Sequence, residues 1–349
     1  MPRPDIVFFC ELGPLALAEL FDTPGLIDEL ADEGYGVSLA ILDFSAQRAA
    51  VARNLQKRGV RVVAWLLLPV EAGYWFNLQN YPQAIARYGE FREWVAREQL
   101  AFDAVGLDFE PSLAELHAAR QRGPLSLFDR AMLAQNNALY PAARQAYLDL
   151  AAQIRHDGYE LHTYQYPLIV DDRRAGTTLL QRTFDIVDVP ADQEVLMLYT
   201  STVFGNRFPD LASAYMKSYA ELADGIAVGV TGGGVVIDPL TGMQSPRMTL
   251  AQFHRDLRIA AQYTDVVHIF SLEGCVERGW LPELRNVAWD EPVVIPARFA
   301  AQMAGVRAAI GFVLWCARDG WTALGWLGWL VALALIVSRR ISNWRTRRG

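Results

Sequence analysis

Eight short apolar runs, at residues 5–10, 36–42, 60–68, 102–109, 159–166, 194–200, 226–230 and 266–272, alternate with stretches of helical period. Nothing else in the chain restricts the fold as much. The intervening stretches, 25–33, 45–57, 81–98, 135–156, 211–223 and 250–263, mostly carry apolar residues three and four apart with charges between them. Near-continuous apolar strands are buried on both faces, which a parallel sheet covered by helices provides. Eight such units, within the length a closed barrel needs, predict an α/β fold of the (β/α)8 TIM-barrel type. No GxGxxG follows the first run, which lowers the dinucleotide-binding alternative. The predicted domains are a barrel over 1–292, helical membrane-anchoring segments over 293–338 and a basic tail over 339–349.

The fourth run, AFDAVGLDFEP at 101–111, holds two carboxylates two positions apart, Asp108 and Glu110. On a strand, residues i and i+2 share a face, so Gly106, Asp108 and Glu110 line one side and Val105, Leu107 and Phe109 the other. Acids on a strand face are hard to explain as packing, but they suit a barrel mouth, where function collects at the C-terminal strand ends. The other strand ends supply Glu11, Asp43, Glu71, Tyr74, Trp75, Tyr164, Tyr166, Tyr199 and Glu273. Acids and aromatics together suit a saccharide, whose apolar faces stack on rings while its hydroxyls bond to carboxylates. The loop Thr231-Gly232-Gly233-Gly234 has two readings, a phosphate cradle or a tight turn needing positive φ.

Composition excludes several classes. A net charge of −7 gives no global reason to expect nucleic-acid binding. Three scattered cysteines form no disulfide framework and favour a reducing compartment. The five histidines lack metal-ligand spacing, so no metal is expected. The N-terminal apolar run, 6–10, lies between Asp5 and Glu11 and reads as a first strand rather than a signal peptide.

FDAVGLDFE resembles the strand-four signature of the glycoside hydrolase family 18 group, the chitinase-like barrels, which reads Asp-x-x-Asp-x-Asp-x-Glu. Asp103, Asp108 and Glu110 match, and Gly106 replaces the second Asp. MLYT, with Met197 and Tyr199, is similar to the strand-six Met-x-Tyr-Asp, with Thr200 in place of the Asp. Phe270 and Glu273 stand where strand eight commonly has an aromatic and a polar residue. The strand-three Ser-x-Gly-Gly is absent from WLLLP at 65–69.

The resemblance implies a hydrolase of N-acetylhexosamine-containing glycans that uses no cofactor. Its nucleophile is the substrate's own acetamido oxygen. Glu110 is then the acid, Asp108 the acetamido stabiliser and Tyr199 a donor to the acetamido carbonyl. Glu11, Asp43, Trp75, Tyr164, Tyr166 and Glu273 are the expected substrate-binding residues. Two alternatives stay open: an inactive saccharide-binding or scaffolding barrel, suggested by Gly106, and a retaining glycosidase with two carboxylates, suggested by DFEP at 108–111.

At the C-terminus, WTALGWLGWLVALALIV at 321–337 is uncharged, Trp-rich at its start and followed by Arg339, Arg340, Arg345, Arg347 and Arg348. It approaches the ~20 residues that span a bilayer. The stretch 299–317 is also apolar but contains Arg307, and reads either as the last barrel helix or as a first span. The basic tail predicts a cytoplasmic end. A hairpin of two spans would keep the barrel on that side too, and surface docking through the tryptophans is the fallback.

Overall fold

In the computed structural model, which describes residues 3–112, 130, 134, 137–205, 207–234 and 246–346, eight parallel strands close into a barrel in sequence order. They are β1 Asp5–Cys10, β2 Gly36–Ile41, β3 Val62–Leu66, β4 Ala104–Phe109, β5 Glu160–Gln165, β6 Gln193–Met197, β7 Gly225–Gly229 and β8 Val266–Phe270. Every predicted run supplies one strand, the first with the predicted bounds and the others with one or both ends shifted by one to three residues. Residues 198–200, for instance, leave the sixth strand because Thr200 already begins a helix.

The helices are α1 Pro14–Phe21, α2 Leu26–Asp32, α3 Ala46–Lys57, α4 Tyr81–Glu98, α5 Leu139–His156, α6 Ile169–Ala175, α7 Leu179–Thr183, α8 Thr200–Phe204, α9 Pro209–Ala220, α10 Leu250–Ala260, α11 Leu272–Glu277, α12 Ala297–Arg318 and α13 Gly320–Thr346. The predicted helix start at 135 lies outside the described residues, as do Arg347 and Arg348. Caps explain several boundaries. Ser45 accepts from the Arg48 amide at the start of α3, and Thr249 with Gln252 forms a capping box on α10.

Strand alternation divides the core in two. Phe8, Cys10, Val105, Leu107 and Phe109 face the helices. Phe9, Ala40, Trp65, Tyr74, Tyr164, Val195, Met197 and Ala227 fill the barrel interior. Asp103, the first acid of the fourth-strand signature, lies at the opposite end of β4 and accepts from the Val62 amide at 2.7 Å. It ties β4 to β3 and takes no part in the mouth.

Short α11 and a 3-10 turn, Pro282–Asn286, follow β8. The chain then runs to the opposite flank, where α12 packs on α6 and α9. Thus α12 does not occupy the usual place of a last barrel helix. Met303 and Leu314 are its buried residues, while Val306, Phe312 and Val313 face outward. Arg307 turns into the barrel: it pairs with Asp171 at 2.6 Å, donates to the Ser218 carbonyl and lies over the Tyr219 ring at 4.1 Å. Among the described residues, α12 is the one helix long and apolar enough to cross a membrane. The apolar part of α13, Leu324–Val337, is shorter, although the sequence alone ranks it first.

Candidate active site at the barrel mouth

Asp108, the penultimate residue of β4, points into the barrel and is 2% exposed. Trp65 of β3 donates to its Oδ2 at 3.2 Å, while Oδ1 has no hydrogen-bond partner among the described residues. Burial pushes the Asp108 carboxyl well above the ordinary range, and the nearby Glu110 and Glu11 charges push it further. Trp65 opposes this weakly. Deep burial therefore favours the protonated acid.

Glu110 follows the last residue of β4. Its amide donates to the Phe76 carbonyl at 3.2 Å, which ties the strand end to the loop after β3. Its carboxyl is half-buried and accepts from the Tyr166 hydroxyl at 3.0 Å. Burial raises it to about 7, against the opposing pull of Tyr166. A carboxylic acid poised there can hold a proton near neutrality and release it to a leaving group.

Two more carboxylates close the other side. Glu11, at the end of β1, accepts from the Tyr74 hydroxyl at 2.5 Å. Glu273, in the first turn of α11, accepts from the amides of Gly234 at 2.8 Å and Glu11 at 3.3 Å. Burial still raises it. The glycine loop after β7 thus spends an amide on a carboxylate. A side chain at Gly234 would meet Glu11 Oε2 at 2.8 Å, and one at Gly233 would collide with Glu273. A loop backed by two acids repels phosphate, so the tight-turn reading is the one the structure favours.

Gly106 has a specific neighbour. A Cβ there would lie 2.6 Å from the Tyr164 hydroxyl and 2.7 Å from its ring. Tyr164 of β5 therefore fills the space into which the missing second acid would project, and its hydroxyl bonds to Ser38 of β2 at 2.6 Å. It is fully buried, so it packs beneath the mouth and cannot itself stack on a ligand. Below it lie His162 and His268, which burial keeps neutral. His162 is lowered to about 4 and His268 falls well below the usual range.

Tyr199 stands just beyond β6, with its ring 6.0 Å from that of Phe270. The Asp108, Glu110 and Glu11 charges all act on its hydroxyl, so it shares their space. Thr200 bonds through its hydroxyl to Asp256 of α10. Trp75 is part-exposed and meets Tyr74 edge-on at 5.4 Å. Asp43 is used differently from expectation: it pairs with fully buried Arg48 at 2.8 Å and accepts from the Ser45 amide, which holds its carboxyl below the usual range. That carboxylate organises the loop after β2.

The mouth thus brings together Asp108, Glu110, Tyr166, Tyr199, Glu11 and Glu273. Trp65 and Ser38 were not read from the sequence as site residues. The parallel register, which sets Trp65 beside Gly106, is the signal that could have found Trp65.

Neither a protein-family model nor a curated protein matches this sequence. Solved structures do. A family 18 chitinase from Pseudoalteromonas aurantia aligns over 81% of this chain and 99% of its own, at 14% identity and a TM-score of 0.49. The glycoside hydrolase domain of PgaB (BpsB) from Bordetella bronchiseptica aligns over 83% and 100%, at 14% identity and a TM-score of 0.46. A xylanase and α-amylase inhibitor protein from Scadoxus multiflorus aligns over 82% and 99%, at 11% identity and a TM-score of 0.45. At these values the likeness is one of barrel architecture alone.

Proposed function

We propose that this protein is a membrane-associated glycoside hydrolase acting on N-acetylhexosamine-containing glycans. The observation that supports this most is Glu110, a half-buried acid raised to about 7, beside buried Asp108 in an aromatic mouth. Glu110 protonates the leaving glycosidic oxygen. The substrate's acetamido oxygen attacks the anomeric carbon while Asp108 and Tyr199 steady the acetamido group, and water then opens the intermediate with Glu110 as base. Glu11, Trp75 and Glu273 contribute to substrate binding, and Tyr166 orients the acid. The apolar helices α12 and α13 attach the barrel to a membrane, with the basic tail and the barrel on the cytoplasmic side.

Geometry also weighs on the two-carboxylate alternative. That scheme needs an ionised nucleophile, and Glu273 is its available candidate. Burial raises this group and so disfavours the ionised form that the scheme requires, although the Gly234 and Glu11 amides oppose that rise. A second reading, a saccharide-binding barrel without turnover, draws on Tyr164 displacing the family's second acid. The test is turnover of aryl N-acetylhexosaminides or natural glycans by wild type and Glu110→Gln. A loss of at least a hundredfold is expected. Equal rates would remove the hydrolase reading, and tight glycan binding without wild-type turnover would favour the second.

A further inference from the structure

A groove of about 620 Å³ runs between α12 and the barrel flank formed by α6 and α9. Its α12 wall is made of small residues, Ala300, Ala304, Ala308 and Gly311, which recur on one helix face and leave space between that face and the barrel flank. Trp315 and Arg318 stand at one end. The barrel wall brings Arg174 and Lys217, and among the described residues neither takes part in an ion pair.

The other charges in the groove are Arg307 with Asp171, paired with each other, Arg318, paired with Asp319, and Glu221. The unpaired balance is positive, two cations against one acid. The same helix turns Val306, Phe312 and Val313 outward and leads directly into α13, whose Trp326 and Trp329 are exposed. An apolar floor, free cations on one wall and continuity with the apolar exterior define an amphiphile with a negative head.

We infer that this groove holds an anionic phospholipid of the bilayer. Its phosphate sits between Arg174 and Lys217, and an acyl chain lies along the alanine floor of α12. Basic pockets at the lipid-facing edge of a protein recognise headgroups in this way. The inference rests on the membrane attachment proposed above and names the lipid that stabilises it.

The experiment uses the full chain, first in flotation with phosphatidylcholine vesicles that lack or contain phosphatidylglycerol, then in detergent with native mass spectrometry. Wild type should float with both vesicles and retain one phosphatidylglycerol at roughly tenfold lower lipid concentration than phosphatidylcholine. Arg174→Ser/Lys217→Ser should lose that preference by about fivefold or more. Ala304→Leu, which fills the floor without changing charge, should lose retention of both lipids. Arg339→Ser/Arg340→Ser, in the tail, should weaken flotation and leave the retained lipid in place. Retention unchanged in the groove variants, or abolished by the tail variant alone, overturns the inference. Wild type that floats but retains the two lipids equally also overturns it and leaves membrane attachment standing. Wild type that floats with neither vesicle overturns both.

Discussion

The Tyr164 hydroxyl lies 2.6 Å from the point a Cβ would occupy on Gly106, and the ring behind it is almost as close. Glycine at 106 and tyrosine at 164 are therefore one packing solution shared by adjacent strands. Gly106→Ala should cost about 1–3 kcal/mol through overpacking. Removing only the hydroxyl, as in Tyr164→Phe, should not relieve it because the ring also clashes. Gly106→Ala/Tyr164→Leu should recover part of the loss. Urea midpoints at unchanged m-value measure the coupling, and additive effects would contradict the shared-space account.

Glu110 must be protonated to act as an acid, and it sits at about 7. Turnover should therefore fall as pH rises through about 7. Tyr166 donates to the ionised form and so lowers this value. Tyr166→Phe should move the alkaline limb upward by roughly one unit or less. A limb that stays put, or moves down, would show that Tyr166 does not set the acid.

Stability carries the same signature. Asp108, Glu110 and Glu273 all bind protons more tightly folded than unfolded. Their contribution is complete below the unfolded carboxyl range and is lost as pH rises through the folded values. The buried histidines act in the opposite sense, but only below their ordinary value near 6.5. From pH 7 to 8.5, the unfolding free energy of Glu110→Gln should therefore fall less than that of wild type. Parallel curves in chemical denaturation would contradict the raised value.

Arg307 and Asp171 are 10% and 4% exposed, and their pairing fastens α12 to the barrel. Removing one partner strands a buried charge, at about 3–5 kcal/mol. Arg307→Leu should speed proteolytic cutting in the connector 288–296 severalfold, whereas the barrel should resist. The double variant Arg307→Leu/Asp171→Leu should be cut less than the single one, because no unpaired charge remains.

Truncation after Asp319 removes α13, whose packing within the chain is confined largely to the adjoining α12. The shortened chain should lose at least half of its membrane-pelleted fraction while keeping wild-type turnover. Unchanged pelleting would move the attachment wholly onto α12.

The alternation of strand and helix was legible from residues 5 to 272 because it follows from local pattern: short continuous apolar runs mark strands buried on both faces, and 3.6-residue repeats mark helices that bury one face. The same rule correctly put Asp108 on the inner face of β4, since that side was decided by counting. What the sequence could not carry were contacts between segments. Trp65 reaches Asp108 across 43 positions, Tyr74 reaches Glu11 across 63 and Arg307 reaches Asp171 across 136. Such pairs depend on barrel closure and register, which bring distant strand ends and helices into hydrogen-bonding range. Asp43 and Tyr164 looked like mouth residues in the sequence, yet an arginine from α3 engages the first and the interior of the barrel encloses the second. By itself the sequence determined the barrel and its acidic fourth strand; only the tertiary structure decided which acids are buried, which donor holds each of them and why residue 106 has no side chain, because those depend on the environment that other strands create.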